Sequence, residues 1–336
     1  MSTLREAATT TAPPVRVRTS PAPGTPAAPV PPLGPAAAPA PATHPGAPWL
    51  PPGRMVDLAG RGTTFIRELA GPAGAPTIVL LHGLGATADL NWFSAYAALG
   101  ARFRVVAIDH RGHGRGIQSE DRFTLEDAAD DAVAVLDALG IDQAIAVGYS
   151  MGGPIAQLMW RRHPGRVSGL VLCATSCGFA ENPLEHAMFA ALPLVEWAVR
   201  AAPTVARWLL NHARPAEVLA PRLHGWARDE VSRMNPAAVV EAAAALGRFR
   251  SEGWIGSVDV PASVLIHLRD HVVPTRRQNA LADAIGDAKV VVVDADHLAP
   301  VCDQRRFVPA LVRAIDAVAD TLNAAAPVRP RHLRLA

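Results

Sequence analysis

Three cysteines, Cys173, Cys177 and Cys302, are all that the 336 residues contain. They make neither the even framework of a disulfide-stapled fold nor a metal-ligand spacing, so reduced thiols and no metal are expected. No run approaches 18 uninterrupted apolar residues, which argues against stable membrane insertion, and no continuous apolar stretch near the start suggests a cleaved secretory signal. Excess charge is missing too. The net charge is +2 with acids and bases interspersed, so nothing calls for nucleic acid as a partner. The basic clusters Arg161-Arg162 and Arg329 to Arg334 read as solvated helix ends. Periodic apolar pattern is absent from residues 1–53, which instead hold 15 of the 31 prolines. That stretch cannot bury enough surface to offset the entropy of ordering it and is expected to be a disordered Pro/Ala-rich tail. Residues 323–336 are expected to form a second flexible tail, and a cytoplasmic location is the default expectation.

The remainder is long enough for one large α/β domain with an inserted subdomain. Its centre is Gln143 to Trp160, which opens as a buried apolar strand, turns at Gly148-Tyr149-Ser150-Met151-Gly152, and continues as a helix with Ile155, Leu158 and Met159 on one face. Strand, sharp turn with a central serine, then helix is the setting in which G-x-S-x-G carries meaning. A serine hydroxyl is a poor nucleophile until a base removes its proton, so it must stand clear of the sheet within reach of one. Glycines on both sides remove side chains that would strike the adjacent strand and helix. The helix behind Ser150 aims free N–H groups at the place where an oxyanion would form.

Met55–Leu58 and Thr63–Leu69 predict a hairpin turning at Gly62, and Thr77–Leu81 a parallel strand covered on both faces. His82-Gly83-Leu84-Gly85 follows that strand directly. Phe103–Asp109 is another strand, ending in His110-Arg-Gly-His-Gly-Arg-Gly116. Thr124 is a plausible N-cap for a helix over 125–139, with Asp127 three residues on. Arg166–Ala174 is the next strand. Strands then vanish from Gly178 to Gly253, where helical stretches broken at Pro193, Pro203, Pro215, Pro221 and Pro236 carry Trp197, Trp208 and Trp226, with Trp254 just beyond. Ala262–Leu268 resumes the strands and ends in Arg269-Asp270-His271-Val-Val-Pro274. A helix over 275–285, a strand over 289–294 and a terminal helix complete the pattern, with His297 just past the last strand.

These motifs resemble the α/β-hydrolase superfamily, in particular its serine esterases with a helical cap. The resemblance spans about residues 54–322. It implies a mostly parallel sheet with helices on both faces, a core over 54–177 and 254–322, and a cap over 178–253 that roofs the site with apolar side chains. Carried onto this chain, it makes Ser150 the nucleophile, His297 the base and Asp270 the orienting acid, in the order Ser…Asp…His that this fold uses. The amides of Leu84 and Met151 would form the oxyanion hole, with Trp92 and Tyr149 in the pocket wall. It gives His82 and Asp109 structural roles, and leaves His110 and His113 as loop residues. Two positions depart from the family pattern: Asp296 precedes His297 where glycine is usual, and Cys302 stands where an acid is frequent. Asp294 and Asp296 therefore compete for the acid role, although Asp270 is favoured; His267 and His271 are poorly placed as bases. Gly116, where serine is common, is a third departure.

The implied activity is hydrolysis of a carboxylic ester or related acyl bond of a small, largely apolar substrate, with no cofactor. Lactonase, carbon–carbon hydrolase, acyltransferase and cofactor-free perhydrolase chemistry use the same residues. A serine at the elbow, where epoxide hydrolases and haloalkane dehalogenases carry aspartate, argues against those two chemistries. A non-catalytic receptor for a small ligand is the alternative of another class. Oligomeric state is not legible.

Overall fold

The computed structural model describes residues 47–205, 208 and 224–325. Most of the expected N-terminal tail (1–46), the proline breaks at 215 and 221, and positions 326–336 of the expected C-terminal tail lie outside the described residues. The described end of the N-terminal stretch is tied to the core. Pro51 is buried, its carbonyl accepts from Arg67 Nη1 at 2.7 Å, and the Pro52 carbonyl accepts from the Glu68 amide at 3.2 Å. The expected tail boundary thus shifts: Gly53 already belongs to the first strand.

In chain order the elements are β1 (Gly53–Leu58), β2 (Gly62–Leu69), β3 (Thr77–Leu81), α1 (Ala88–Trp92), α2 (Tyr96–Gly100), β4 (Arg104–Ile108), α3 (Leu125–Ala138), β5 (Ala144–Tyr149), α4 (Gly152–Arg162) and β6 (Val167–Cys173). An insertion follows with α5 (Pro183–Ala201), α6 (His224–Ser232) and α7 (Pro236–Arg248). The chain closes with β7 (Ala262–His267), α8 (Thr275–Ile285), β8 (Lys289–Val293), α9 (Ala299–Cys302) and α10 (Gln304–Ala325). Because α10 runs through Ala325, the first three residues of the expected C-terminal tail are helical.

The strands form one eight-stranded sheet in the order β1-β2-β4-β3-β5-β6-β7-β8. β1 pairs antiparallel with β2, and β2 with β4; all other neighbours are parallel. Alternation divides the core between the two faces. Val79, Leu81, Val106, Ile108, Leu170 and Leu172 face one layer with residues of α3, α4 and α8. Ile78, Leu80, Val105, Ala107, Val171 and Leu265 face the other, with α1, α2 and α10. Thr124 caps α3 as its sequence predicts, its Oγ1 accepting from the Asp127 amide at 3.0 Å and donating to Asp127 Oδ2 at 2.7 Å.

After β3 the chain steps to β4 on one side, then crosses to β5 on the other. The switch point therefore lies between β3 and β5, where the loops leaving both strands splay apart and leave a crevice.

In the insertion, Asn182 and Glu185 form a reciprocal capping box at the start of α5. Pro193 does not break the helix as expected. It sits inside α5, and forgoing one backbone bond is outweighed by packing of α5 on α7, where Phe189 lies against Gly247. Trp226 is buried against Phe93 at 5.2 Å and Trp254 stacks on Trp160 at 6.3 Å, whereas Trp197 is 72% exposed. No helix among the described residues is long and apolar enough to cross a membrane.

Candidate active site

Ser150 follows β5 and precedes α4, and its backbone is left-handed at φ 52°. A non-glycine residue pays for that conformation in strain, so the surroundings must hold it. They do. Its amide donates to the Cys173 carbonyl at 2.9 Å, and its own carbonyl accepts from the Gly153 amide at 2.9 Å and Thr175 Oγ1 at 2.8 Å. The glycines are there for close approach: a Cβ on Gly148 would strike the Gly152 carbonyl, and one on Gly152 the Leu81 carbonyl. Strand, turn and helix are thereby pressed together, and the serine side chain is turned out of the sheet.

The loops after β7 and β8 bring the other two residues to it. His297 Nε2 lies 3.0 Å from Ser150 Oγ, and His297 Nδ1 lies 2.7 Å from Asp270 Oδ2. Asp270 is buried and its second oxygen accepts from the amides of Val272 and Val273, both at 2.8 Å. With the imidazole proton on Nδ1 facing the carboxylate, Nε2 is left to accept the serine proton. The competing carboxylates point elsewhere. Asp294 pairs with Arg269 at 2.9 Å, and Asp296 Oδ1 accepts from the Leu298 amide at 2.8 Å.

Two contacts at this site had no signal in the sequence. Gln278 on α8 is fully buried; its Nε2 donates to Asp270 Oδ2 at 3.2 Å and to the Val273 carbonyl at 2.7 Å, while its Oε1 accepts from the His267 amide at 2.9 Å. The Tyr149 hydroxyl donates to the His297 carbonyl at 2.7 Å, tying the strand before the serine to the loop carrying the histidine.

Leu84 and Met151 stand on the two loops of the switch point. Neither amide has an acceptor among the described residues. The Leu84 loop is held from below, because the Gly83 amide donates to Asn91 Oδ1 at 3.0 Å. A cleft of about 130 Å³ opens here, its wall including Leu84, Ala86, Leu90, Asn91, Tyr149, Ser150, His297, Leu298 and Val301. Tyr149 is among the residues lining it. Trp92 is not: it is fully buried in the sheet's lower layer, edge-on to Tyr149 at 6.2 Å and beside Phe307 at 6.5 Å. A large indole on a five-residue helix facing the sheet finds its partners in the core. None of the residues lining this cleft comes from the insertion, so the expected apolar roof does not reach it among the described residues.

His82, His110 and His113 pack together, with ring centroids 4.2 and 5.4 Å from that of His82. His82 Nε2 accepts from the His110 amide at 3.0 Å, so its proton is on Nδ1, which donates to the Gly83 carbonyl at 2.8 Å. Burial holds all three neutral: it lowers His82 well below 6.5, His110 to about 3 and His113 to about 4. Asp109 braces loops, accepting from the amides of Ala88 at 2.8 Å and Arg115 at 2.9 Å; burial raises its carboxyl. Arg115 draws together Asp89, Asp109 and Glu230 of α6. The neighbouring departure from the family pattern has a local cause, since any Cβ on Gly116 would meet the His110 carbonyl. His267 is buried with Nδ1 2.8 Å from the Asp296 carbonyl, and His271 is exposed. Cys173 and Cys177 are buried thiols, and burial pushes the Cys173 thiol up. Among the described residues no group of three or more His, Cys, Asp or Glu is placed to hold a metal ion.

A mostly parallel eight-stranded sheet, helices on both faces and a strained serine at the switch point define an α/β hydrolase fold. The family described as alpha/beta hydrolase fold matches residues 76–218. That match takes in a little under half of the chain, and the structure has the α/β-hydrolase fold. The chain is 36% identical over 131 residues to the dihydrolipoyllysine-residue acetyltransferase component of the acetoin cleaving system of Pseudomonas putida, covering 39% of this chain and 34% of that one. It is 38% identical over 124 residues to epoxide hydrolase B of Mycobacterium tuberculosis, covering 35% and 34%. These matches span about a third of the length of the curated relatives. Among solved structures, the enol-lactonase from Burkholderia xenovorans LB400 superposes with a TM-score of 0.64 at 24% identity, over 78% of this chain and 100% of that one.

Proposed function

We propose that this protein is a serine hydrolase that cleaves a carboxylic ester, or a related acyl bond, of a small and largely apolar substrate through an acyl-enzyme. The observation that carries the reading is the hydrogen-bonded line from Asp270 through His297 to Ser150. Ser150 Oγ attacks the carbonyl carbon as His297 Nε2 takes its proton, and Asp270 stabilises the imidazolium that forms. The amides of Leu84 and Met151 hold the oxyanion, with the N-terminus of α4 adding its positive end. His297 then returns the proton to the leaving alcohol, and water, activated the same way, releases the acid. Residues 178–253 act as the cap on a core of 54–177 and 254–322.

The cleft beside Ser150 supports a small substrate. Its volume of about 130 Å³ is below that of sites for drug-sized ligands, and the described residues that line it include no Asp, Glu, Lys or Arg. A serine rather than an aspartate at the elbow separates this chemistry from epoxide opening. Lactone opening is the second reading, since a lactone is an internal ester and an enol-lactonase shares the fold. An active-site-directed fluorophosphonate tests both readings. It is expected to label Ser150 and to leave Ser150→Ala unlabelled; labelling that persists in the variant sinks the nucleophile assignment. A panel of nitrophenyl esters of rising acyl length, run beside lactones, then separates the two.

A further inference from the structure

Asp270 is buried, and its two carboxylate oxygens are held in different ways. Oδ1 accepts from the amides of Val272 and Val273, which belong to its own turn. Oδ2 accepts from His297 Nδ1 at 2.7 Å and from Gln278 Nε2 at 3.2 Å. Only the second oxygen meets the imidazole, so whatever fixes Oδ2 fixes the direction in which His297 is held. Gln278 lies near the start of α8 and is fully buried, and its carboxamide is not free to flip. Its oxygen accepts from the His267 amide at 2.9 Å, while its nitrogen serves two acceptors, the Val273 carbonyl at 2.7 Å and Asp270. The reversed group would set donor against donor at His267 and oxygen against oxygen at the other two. The side chain thus bridges the end of β7 to the turn that carries the acid.

Charge makes the residue type matter. A carboxamide steadies the carboxylate oxygen without bringing a charge, so His297 is the one ion-pair partner of Asp270 among the described residues. A lysine or arginine in this place would compete for the carboxylate with the imidazolium that forms during the reaction. Arg277, the neighbour of Gln278 on α8, is directed instead at Glu181, Glu185 and the Phe179 carbonyl. His297 has backbone anchors of its own: its carbonyl accepts from the Tyr149 hydroxyl, and the Asp296 carbonyl before it accepts from His267 Nδ1 at 2.8 Å. Of Ser150, His297 and Asp270, Gln278 touches Asp270 alone. We infer that Gln278 is a positioning residue for the reaction, acting through Asp270 by holding Oδ2 in line with His297 Nδ1 and leaving the imidazole as the only cation there. The inference rests on the serine-hydrolase reading.

The test is a double-mutant cycle on kcat for a short 4-nitrophenyl ester, with Gln278→Met and Asp270→Ala made singly and together. Methionine keeps the volume and has no donor, and Thr275 Oγ1, which donates to the His267 carbonyl at 3.0 Å, still ties α8 to β7. With Asp270 in place, Gln278→Met is expected to lower kcat about tenfold, short of the roughly hundredfold loss from a misplacement of about 1 Å. KM is expected to stay within about twofold, because Gln278 is not among the residues lining the cleft. In the Asp270→Ala chain the same change is expected to alter kcat by less than about twofold, since the carboxylate through which it acts is gone. If Gln278→Met does not fold, Gln278→Glu carries the same cycle. It keeps the acceptor for the His267 amide but sets a second carboxyl against Asp270, and is expected to lower kcat about tenfold with Asp270 present and not at all without it. Equal losses in the two backgrounds overturn the positioning role, because a loosened core, or a route through His267, acts in both alike. A loss under about twofold with Asp270 present overturns it too, as does a raised KM at unchanged kcat. Fluorophosphonate labelling of Ser150 leaves the hydrolase reading standing in each of these cases. An unaltered chain with neither labelling nor turnover overturns that reading, and this inference with it.

Discussion

Replacing Asp270 with asparagine tests the proton path most directly, because the structure dictates which way the new amide must sit. One carboxylate oxygen accepts from two backbone amides, Val272 and Val273, and the other from Gln278 Nε2 and His297 Nδ1. An asparagine keeps its oxygen toward the two backbone donors, where an NH2 would meet two N–H groups. Its NH2 then faces His297 Nδ1. That nitrogen becomes the acceptor, the imidazole proton moves to Nε2, and the ring presents a donor to Ser150 instead of a base. The fold is kept and the tautomer is wrong. In a serine protease the equivalent change lowers kcat by about 10⁴ with geometry intact, equivalent to about 5–6 kcal/mol of transition-state stabilisation. The assay is kcat for a short nitrophenyl ester in Asp270→Asn and in Asp296→Asn, with circular dichroism to confirm folding. Asp296→Asn keeps an oxygen to accept from the Leu298 amide and is expected to stay within a few-fold of the unaltered chain. A loss under tenfold in Asp270→Asn, or the larger loss in Asp296→Asn, refutes the assignment.

Acidification is expected to destabilise the protein through His82, His110 and His113. Their folded values lie below the unfolded value of 6.5, so stability is complete above that pH and is lost as protons bind the unfolded chain between 6.5 and about 3–4. Each histidine contributes about 2 kcal/mol of loss between pH 7 and 5; unfolding at pH 5 that takes up fewer than one proton would contradict the burial argument. Gly152→Ala is expected to cost about 3 kcal/mol or more, since the added methyl would meet the backbone carbonyls of Leu81 and His82, and a melting temperature within 2 °C of the original would rule it out. Arg115→Met leaves buried Asp109 without a cation and takes one of two from Asp89 and Glu230, which keep Arg67 and Arg233, and is expected to cost about 3–5 kcal/mol by denaturant titration; a loss under 1 kcal/mol counts against the ionic cluster. Deleting residues 1–46 is expected to leave kcat/KM within twofold, whereas deleting 1–52 also removes the carbonyls that hold Arg67 and Glu68 and is expected to lower the melting temperature. Equal melting temperatures for the two truncations would show that the Pro51 and Pro52 contacts contribute nothing.

The sheet was readable because its signals are local. Ile78–Leu81 is apolar throughout since both faces are covered, and Gly148 and Gly152 mark the close approach that Ser150 needs. The grouping of Ser150, Asp270 and His297 followed from each ending or following a strand of one parallel sheet. What escaped was set by contacts between remote segments. Nothing eight residues past Asp270 marks Gln278 as its partner, because only the packing of α8 on β7 brings them together. Trp92 reads equally well as pocket or core until its neighbours Tyr149 and Phe307 are in place. Pro193 reads as a break because local propensity says so, and tertiary packing overrides it.

Glu230 has a further bearing on how the molecule can move. It accepts from Thr87 Oγ1 at 2.8 Å, and the same hydroxyl caps α1 by accepting from the Leu90 amide at 3.1 Å. Swinging α6 outward would therefore leave the capping hydroxyl of Thr87 without its acceptor and part the Glu230 carboxylate from Arg115. A change at position 230 would consequently be felt at Asn91, one turn further along α1, without touching the cleft at all.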